Sequence, residues 1–248
     1  MNYYIVEVVM GVSKVAICMQ TFNKNDVLPN VLYSIARQKP PFPFELCVID
    51  DGSDESPEPI IRKYFPDAKF KCITEKGPSG PDAVFGHALD LISDDVDVVI
   101  LQSADVIHVE EYTIEDLVDN VDKKVPAFAQ VSNAEVPNDM YQDFGKGIKN
   151  IFEQWKVVPA MRRTGCEKGL YFFLGAILKE DTKTLGFGQP LCDVMLQQQL
   201  WNQKFRINFL EDLKGIHCVH SESWIPCVGM STCFFKCKLK NHFLGRWI

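Results

Sequence analysis

No stretch of this chain reaches 18 uninterrupted apolar residues, the least that a membrane-crossing helix needs, so no transmembrane span is expected. The first ten residues carry a short apolar run broken by Glu7, with no basic segment ahead of it, and do not read as a signal peptide. Positive charge is also in short supply. Lysine and arginine number 26 against 33 acidic residues, for a net charge of −7. A general nucleic-acid binder needs basic surface to neutralise phosphates, so no nucleic-acid partner is expected, although a local basic site for one diphosphate is still allowed. Internal repeats, low-complexity tracts and a domain linker are all missing, and one domain over residues 1–248 is the expectation. Paired Cys-x-x-Cys spacing is absent too, although the chain has nine cysteines. The group His217, Cys218, His220, Cys227, Cys233 and Cys237 fits no paired zinc signature and is read as ordinary thiols and imidazoles. Nine thiols without a secretory leader suit a reducing, cytoplasmic setting.

What is present is an ordinary globular composition, 46% hydrophobic and 24% charged, with a clear alternation of periods in the first half. Lys14 to Met19 is a short apolar strand that ends in the polar loop Gln20-Thr21-Phe22-Asn23. Val27, Leu28, Val31, Leu32 and Ile35 recur at helical spacing, with Asp26 as the expected cap. Glu45 to Ile49 is a second buried strand, ending at Asp50-Asp51-Gly52-Ser53. A helix over Pro59 to Phe65, a strand over Lys69 to Thr74, a helix over Ala83 to Leu91 with His87 on its core side, and a strand from Val96 to Leu101 follow. This order predicts an α/β fold with a mostly parallel sheet, right-handed crossovers and ligands beyond the carboxyl ends of the strands. Thr21, Asp51 and Asp105 then share one sheet edge. The second half is less regular, with strands expected at Phe128 to Val131, Leu170 to Leu178 and Phe205 to Leu210, and a helix over Asp193 to Gln203.

Four groups carry chemistry. Adjacent carboxylates at Asp50-Asp51 cannot both enter a core unpaired, and Gly52-Ser53 provides a turn that brings backbone close to a ligand. Asp105, leaving an apolar strand, is a suitable anchor for a divalent cation shared with phosphate oxygens. Asp193 either caps its helix or stands as a general base at the pocket edge. His217 or His220, after a strand and a polar loop, is placed to complete a metal shell or to serve structurally.

Taken in order, Val15-Ala16-Ile17-Cys18-Met19-Gln20-Thr21-Phe22-Asn23, Val48-Ile49-Asp50-Asp51-Gly52-Ser53 and Ser103-Ala104-Asp105 resemble the large family 2 of inverting glycosyltransferases. The resemblance covers about residues 14 to 220 and is strongest in the first 55. It implies the GT-A fold, with residues 1–110 binding donor and 111–248 binding acceptor. It further implies a nucleotide-sugar donor, UDP- or GDP-linked, and a glycan or lipid-linked acceptor. Mn²⁺ or Mg²⁺ is the implied cofactor. Carried over, Thr21 and Asn23 lie beside the nucleotide, Asp51 reads the base or ribose with Asp50 behind it, and Gly80 belongs to the glycine loop. Asp105 is the last acid of the family's Asp-x-Asp motif and a metal ligand. Asp193 is the base, after the Gly186-Phe187-Gly188 loop. His220 matches a late histidine near the metal, with His217 as the second candidate.

The chain departs from the pattern at particular positions. Gln20 stands where proline is common, Phe22 replaces Tyr, Ser103 replaces the first acid of Asp-x-Asp, and Cys192 replaces the Glu beside the base. Leu200 occupies the Arg position of the processive synthases' Gln-x-x-Arg-Trp motif. Two other readings stay open: a GT-A protein that binds nucleotide or glycan without turnover, and a sugar nucleotidyltransferase. The latter's Gly-rich loop has no counterpart in Gln20 to Asn25. The aromatic and basic tail from Cys233 to Trp247 is compatible with either a packed terminal segment or a peripheral membrane contact.

Overall fold

A near-continuous run of buried apolar side chains, rich in β-branched residues, suits a strand covered on both faces, and Val15–Thr21 forms the first strand, β1. The computed structural model describes residues 11–73, 81–135, 156–158, 174–185, 199–200 and 202–219. After β1 come α1 (Leu28–Ala36), β2 (Phe44–Asp50), α2 (Glu58–Tyr64), β3 (Lys69–Cys72), α3 (Pro81–Leu89) and β4 (Val98–Ser103). The remaining described elements are β5 (Val106–His108), α4 (Thr113–Asp119), β6 (Ala127–Glu135), β7 (Lys156–Val158), β8 (Leu174–Leu178), α5 (Lys179–Thr182) and β9 (Asn208–Val219).

The strands form one mixed sheet in the order β3-β2-β1-β4-β8-β6-β9-β5, with β7 paired to β6. The four strands at the β3 end are all parallel. β8 then enters antiparallel to β4, and β6 and β9 run parallel to each other. The apolar residues of the sheet divide between its two faces. Val15, Ile17, Met19, Leu46, Val48, Val98 and Ile100 pack with Leu28, Val31, Leu32 and Ile35 of α1, Ile61 of α2, and Ile114 and Leu117 of α4. Ala16, Cys18, Cys47, Ile49, Val99 and Leu101 pack on the other face with Phe85 and Ala88 of α3, together with Leu200 and Phe205. Each fully buried aliphatic side chain of this kind contributes roughly 1.5–3 kcal/mol.

Some local expectations change. Asp26 does not cap α1: the capping position falls on Val27, which makes no side-chain capping bond, and a proline opens the helix. Proline in the first turn lacks an N–H that would need a partner, which lessens the need for such a cap. His87 is only half-buried on α3 rather than a core residue. The polar segment expected before His217 lies within β9, where register shifts opposite Ala129, Gln130 and Val131 mark a bulge that accommodates the extra residues. His217 is therefore a strand residue, paired with Val106 on one side and Asn133 on the other. Among the described residues no helix is long and apolar enough to cross a membrane.

At the amino ends of the parallel strands a polar cluster ties the sheet down. The Glu45 carboxylate meets Lys14 at 2.8 Å and Lys69 at 3.1 Å, and accepts the Ser93 N–H and hydroxyl at 2.7 Å each. Burial alone would push this carboxyl up. Lys14, both Ser93 donors and Lys69 together outweigh it and hold Glu45 at about 2. This cluster leaves the opposite, carboxyl edge free to carry chemistry.

Candidate functional site

β1, β2 and β4 end at one level. Thr21 is in register with Asp50, Gln20 with Ser103, and Asp50 with Cys72. Two backbone bonds extend this alignment beyond the strands: the Asp51 N–H donates to the Thr21 carbonyl at 2.9 Å, and the Ala104 N–H to the Gln20 carbonyl at 3.2 Å. The parallel sheet thus brings Thr21, Asp50, Asp51, Ser103 and Asp105 to one crevice, and all five are buried. Parallel strands place such crevices past their carboxyl ends.

The turn after β2 is held by its own side chains. Asp50 accepts the Ser53 N–H at 3.3 and 3.2 Å and also the Ser53 hydroxyl. Its other neighbour is the Cys72 thiol at 3.4 Å. Burial first, and then the Asp50 carboxylate, push that thiol above its ordinary value. Gly52 sits at φ 82°, a left-handed conformation that costs a glycine little. Asp50 therefore shapes the turn, and Asp51 stands next to it at the strand end.

Asn23 is also left-handed, at φ 48°. Its N–H donates to Ser53 Oγ at 2.8 Å, its Nδ2 to Asp54 Oδ2 at 3.1 Å, and its Oδ1 accepts the Asp54 N–H at 2.8 Å. Asn25 Nδ2 adds a bond to the Glu55 carbonyl at 3.1 Å. The Asn23 amide thus stitches the loop after β1 to the loop after β2. The Thr21 hydroxyl differs: it is buried and meets no hydrogen-bond partner among the described residues. A buried hydroxyl in that condition is costly unless a ligand completes it.

Asp105 lies in the two-residue connection, Ala104–Asp105, between β4 and β5. Its Oδ1 accepts the Ser103 hydroxyl at 2.7 Å, and Gln20 Nε2 donates to Ser103 Oγ at 3.2 Å. Its Oδ2 is 2.9 Å from the Lys24 ammonium, in a pair whose side chains are only 8% and 17% exposed. Lys24 had no place in the sequence reading, and its position directly after Asn23 in the loop was the available signal. Behind Asp105, a buried network fixes the end of β4. Gln102 Nε2 donates to the Val106 carbonyl at 3.1 Å, so its Oε1 accepts from His108 Nε2 at 2.8 Å. The His108 N–H in turn donates to Ser34 Oγ of α1 at 3.0 Å. Burial pulls the ring of His108 down to about 3, so it is neutral with the proton on Nε2.

Asp105 offers a divalent cation one shielded carboxylate, whose Oδ2 pairs with the Lys24 ammonium and whose Oδ1 accepts the Ser103 hydroxyl. Mg²⁺-type sites commonly use one or two carboxylates, with phosphate oxygens completing the shell. Among the described residues no group of three or more His, Cys, Asp or Glu side chains is placed to hold a metal by itself. β9 brings the backbone of His217 beside Val106, one residue past Asp105. Gly80, the Gly186–Gly188 loop, Cys192, Asp193 and His220 lie outside the described residues, as does the 221–248 tail.

Over 61 residues the chain is 38% identical to the hyaluronan synthase of Pasteurella multocida, a segment that is 25% of this chain and 6% of that protein. A mannosyltransferase from Pyrobaculum calidifontis, solved with GDP-Man and Mn²⁺, superposes with a TM-score of 0.58 at 17% identity, covering 87% of this chain and 60% of that one. TarS residues 1–349 of S. aureus, in complex with UDP-GlcNAc, gives 0.54 at 17% identity, covering 84% and 59%. The chain thus spans a small part of the hyaluronan synthase and about 60% of the solved relatives. At these identities the solved structures establish the GT-A fold. The family model of glycosyl transferase family 2 matches residues 16–174, a region that contains the whole strand-end crevice, and the chain belongs to that family.

Proposed function

We propose that this chain transfers a sugar from a UDP- or GDP-linked donor to an acceptor hydroxyl, with inversion at the anomeric carbon. The observation that carries this reading is the convergence of Thr21, Asp51 and Asp105 at one carboxyl edge of the parallel sheet. Support for the donor class comes from the relatives, one solved with GDP-Man and Mn²⁺ and one with UDP-GlcNAc.

In this reading the carboxylate of Asp51 takes the base or ribose, the Thr21 hydroxyl supplies a further hydrogen bond, and Asp50 keeps the turn in shape. Asp193 takes the proton from the acceptor hydroxyl as that oxygen attacks the anomeric carbon. The bond from that carbon to the diphosphate oxygen breaks, and the nucleoside diphosphate leaves with the electron pair. Asp105, with His220 or His217, would hold Mn²⁺ or Mg²⁺, which supplies charge neutralisation for the leaving diphosphate. The acceptor is a glycan or a lipid-linked sugar, and the 111–248 half is its expected seat.

One observation also supports a non-catalytic nucleotide binder: the residue replacing the first acid of Asp-x-Asp, Ser103, is turned onto Asp105. Thermal shift against a panel of UDP- and GDP-sugars with Mn²⁺ identifies the donor, since a ligand that binds only the native chain must raise its melting temperature. Release of nucleoside diphosphate then separates the two readings. Asp193→Ala should retain donor binding and lower transfer by about 10²–10⁴-fold. Unchanged transfer in that variant removes Asp193 from the mechanism. Donor binding with no turnover in the unaltered chain favours the non-catalytic reading.

A further inference from the structure

Lys24 sits at the point where the charge of a donor's diphosphate is expected. Its ammonium is 2.9 Å from Asp105 Oδ2, and both side chains are largely shielded from water. The other oxygen of that carboxylate is taken by the Ser103 hydroxyl at 2.7 Å, and Ser103 is itself held by Gln20. A divalent cation approaching Asp105 in this state meets a carboxylate already neutralised by a lysine and engaged on both oxygens. Placing the ion there without moving Lys24 puts three positive charges beside one negative charge in a poorly solvated pocket, which is unfavourable.

We propose that Lys24 is a diphosphate-binding residue which, in the absence of donor, rests on Asp105 and keeps divalent cations off it. The inference builds on the reading of the strand-end crevice as a nucleotide-sugar site. A nucleoside diphosphate changes the balance in two ways. Its phosphate oxygens offer the ammonium a new partner, and they offer a cation on Asp105 the additional oxygens that this carboxylate cannot supply alone. The four-carbon stem of lysine lets the ammonium move between the two while its backbone stays fixed by the neighbouring Asn23 stitch. Cation and nucleotide then bind better together than separately, and the coupling is the same whichever binds first. Ser103 suits this device, because a second carboxylate at that position would hold a cation without help from the donor.

The test is Mn²⁺ titration of the full chain by calorimetry or electron paramagnetic resonance, alone and with UDP or GDP as the probe. In the unaltered chain the nucleotide should tighten Mn²⁺ binding by at least about fivefold, the lower end of ordinary coupling between sites. Lys24→Met should tighten Mn²⁺ on the nucleotide-free chain and weaken the nucleotide, each by at least about fivefold. Lys24→Arg should restore the original behaviour. A gain in cation affinity is an outcome that mere damage to the fold would not produce. Mn²⁺ binding to nucleotide-free Lys24→Met that is no tighter than to the unaltered chain overturns the proposal. Should that variant not fold, the unaltered chain decides: Mn²⁺ binding equally tight with and without nucleotide overturns it. If neither UDP nor GDP binds the unaltered chain with Mn²⁺ present, the donor-site reading fails, and this inference fails with it. Normal nucleotide coupling that is unaffected by Lys24→Met removes the role of Lys24 alone.

Discussion

Asp50 and Ser53 close the turn after β2 on themselves, the carboxylate accepting both the backbone N–H and the hydroxyl of the serine. The same Ser53 oxygen accepts the Asn23 N–H at 2.8 Å, so a single hydroxyl joins the two loops that flank the crevice. Ser53→Ala leaves the partly buried backbone donor of Asn23 without its acceptor and deprives Asp50 of its hydroxyl partner. The expected cost is about 1–3 kcal/mol, measured by urea denaturation. Because the turn carries Asp51, nucleotide affinity should fall as well, and titration at a temperature where the variant is fully folded checks that effect.

Gly175 stands between Leu101 and Phe128 in the sheet register. A Cβ added there would lie 2.2 Å from Phe128 Cδ1, well inside contact distance. The ring has little room to yield, as Phe128 is buried and packs at 6.5 Å from Phe209. Gly175→Ala should therefore destabilise the chain by about 1–3 kcal/mol through overpacking. Phe128→Leu in the same background should recover part of the loss, because it removes the clash while keeping the site apolar.

The parallel half was legible in the sequence because its strands are buried on both faces and end in turn-forming residues. Lys14 to Met19, Glu45 to Ile49 and Val96 to Leu101 carry the period and the stop signals together, and β1, β2 and β4 fall within a few residues of those bounds. β5 and α4 went unforeseen. Val106–His108 has only three residues, too few to show a period, and Thr113–Asp119 has no side-chain cap to announce it. β9 extends far past Leu210 because pairing with β6 and a bulge carry it through polar residues that look like a loop. In the crevice, the carboxylates were visible as motifs, whereas Lys24 was not. A lysine in a polar loop is unremarkable until Asp105 is brought to it from the turn between β4 and β5.

Two of the described groups, His108 and Glu45, make the fold sensitive to acid over overlapping windows, with that of His108 beginning at higher pH. In the unfolded chain His108 titrates near 6.5, whereas its buried ring in the folded chain stays neutral down to about 3. The unfolded chain binds the extra proton, so this contribution is complete above pH 6.5 and erodes as pH falls from 6.5 toward 3. Glu45 follows lower down: its contribution is complete above 4.5 and is lost as pH falls from 4.5 toward 2. Unfolding free energy measured in urea should thus begin to decline at mildly acidic pH, with His108 supplying a slope of up to about 1.4 kcal/mol per pH unit. His108→Gln, which keeps a donor for Gln102, should flatten the first decline and leave the second. Glu45→Gln should remove the second and lower stability at neutral pH, since Lys14 and Lys69 then lose their shared partner.

Thr21 offers the sharpest separation of binding from folding. Its hydroxyl is buried at the end of β1 and has no hydrogen-bond partner among the described residues, so the folded chain carries the desolvation of that group without a compensating bond. Valine has nearly the same shape and suits a strand position in register with Asp50. Thr21→Val should leave the melting temperature of the nucleotide-free chain unchanged or slightly raised. If the hydroxyl exists to meet a donor, the same variant should weaken nucleotide binding by about fivefold, the worth of roughly 1 kcal/mol from one hydrogen bond. A drop in melting temperature with unaltered nucleotide affinity would mean the opposite, that the hydroxyl serves the fold and that the donor is held by Asp51 and Asp105 without it.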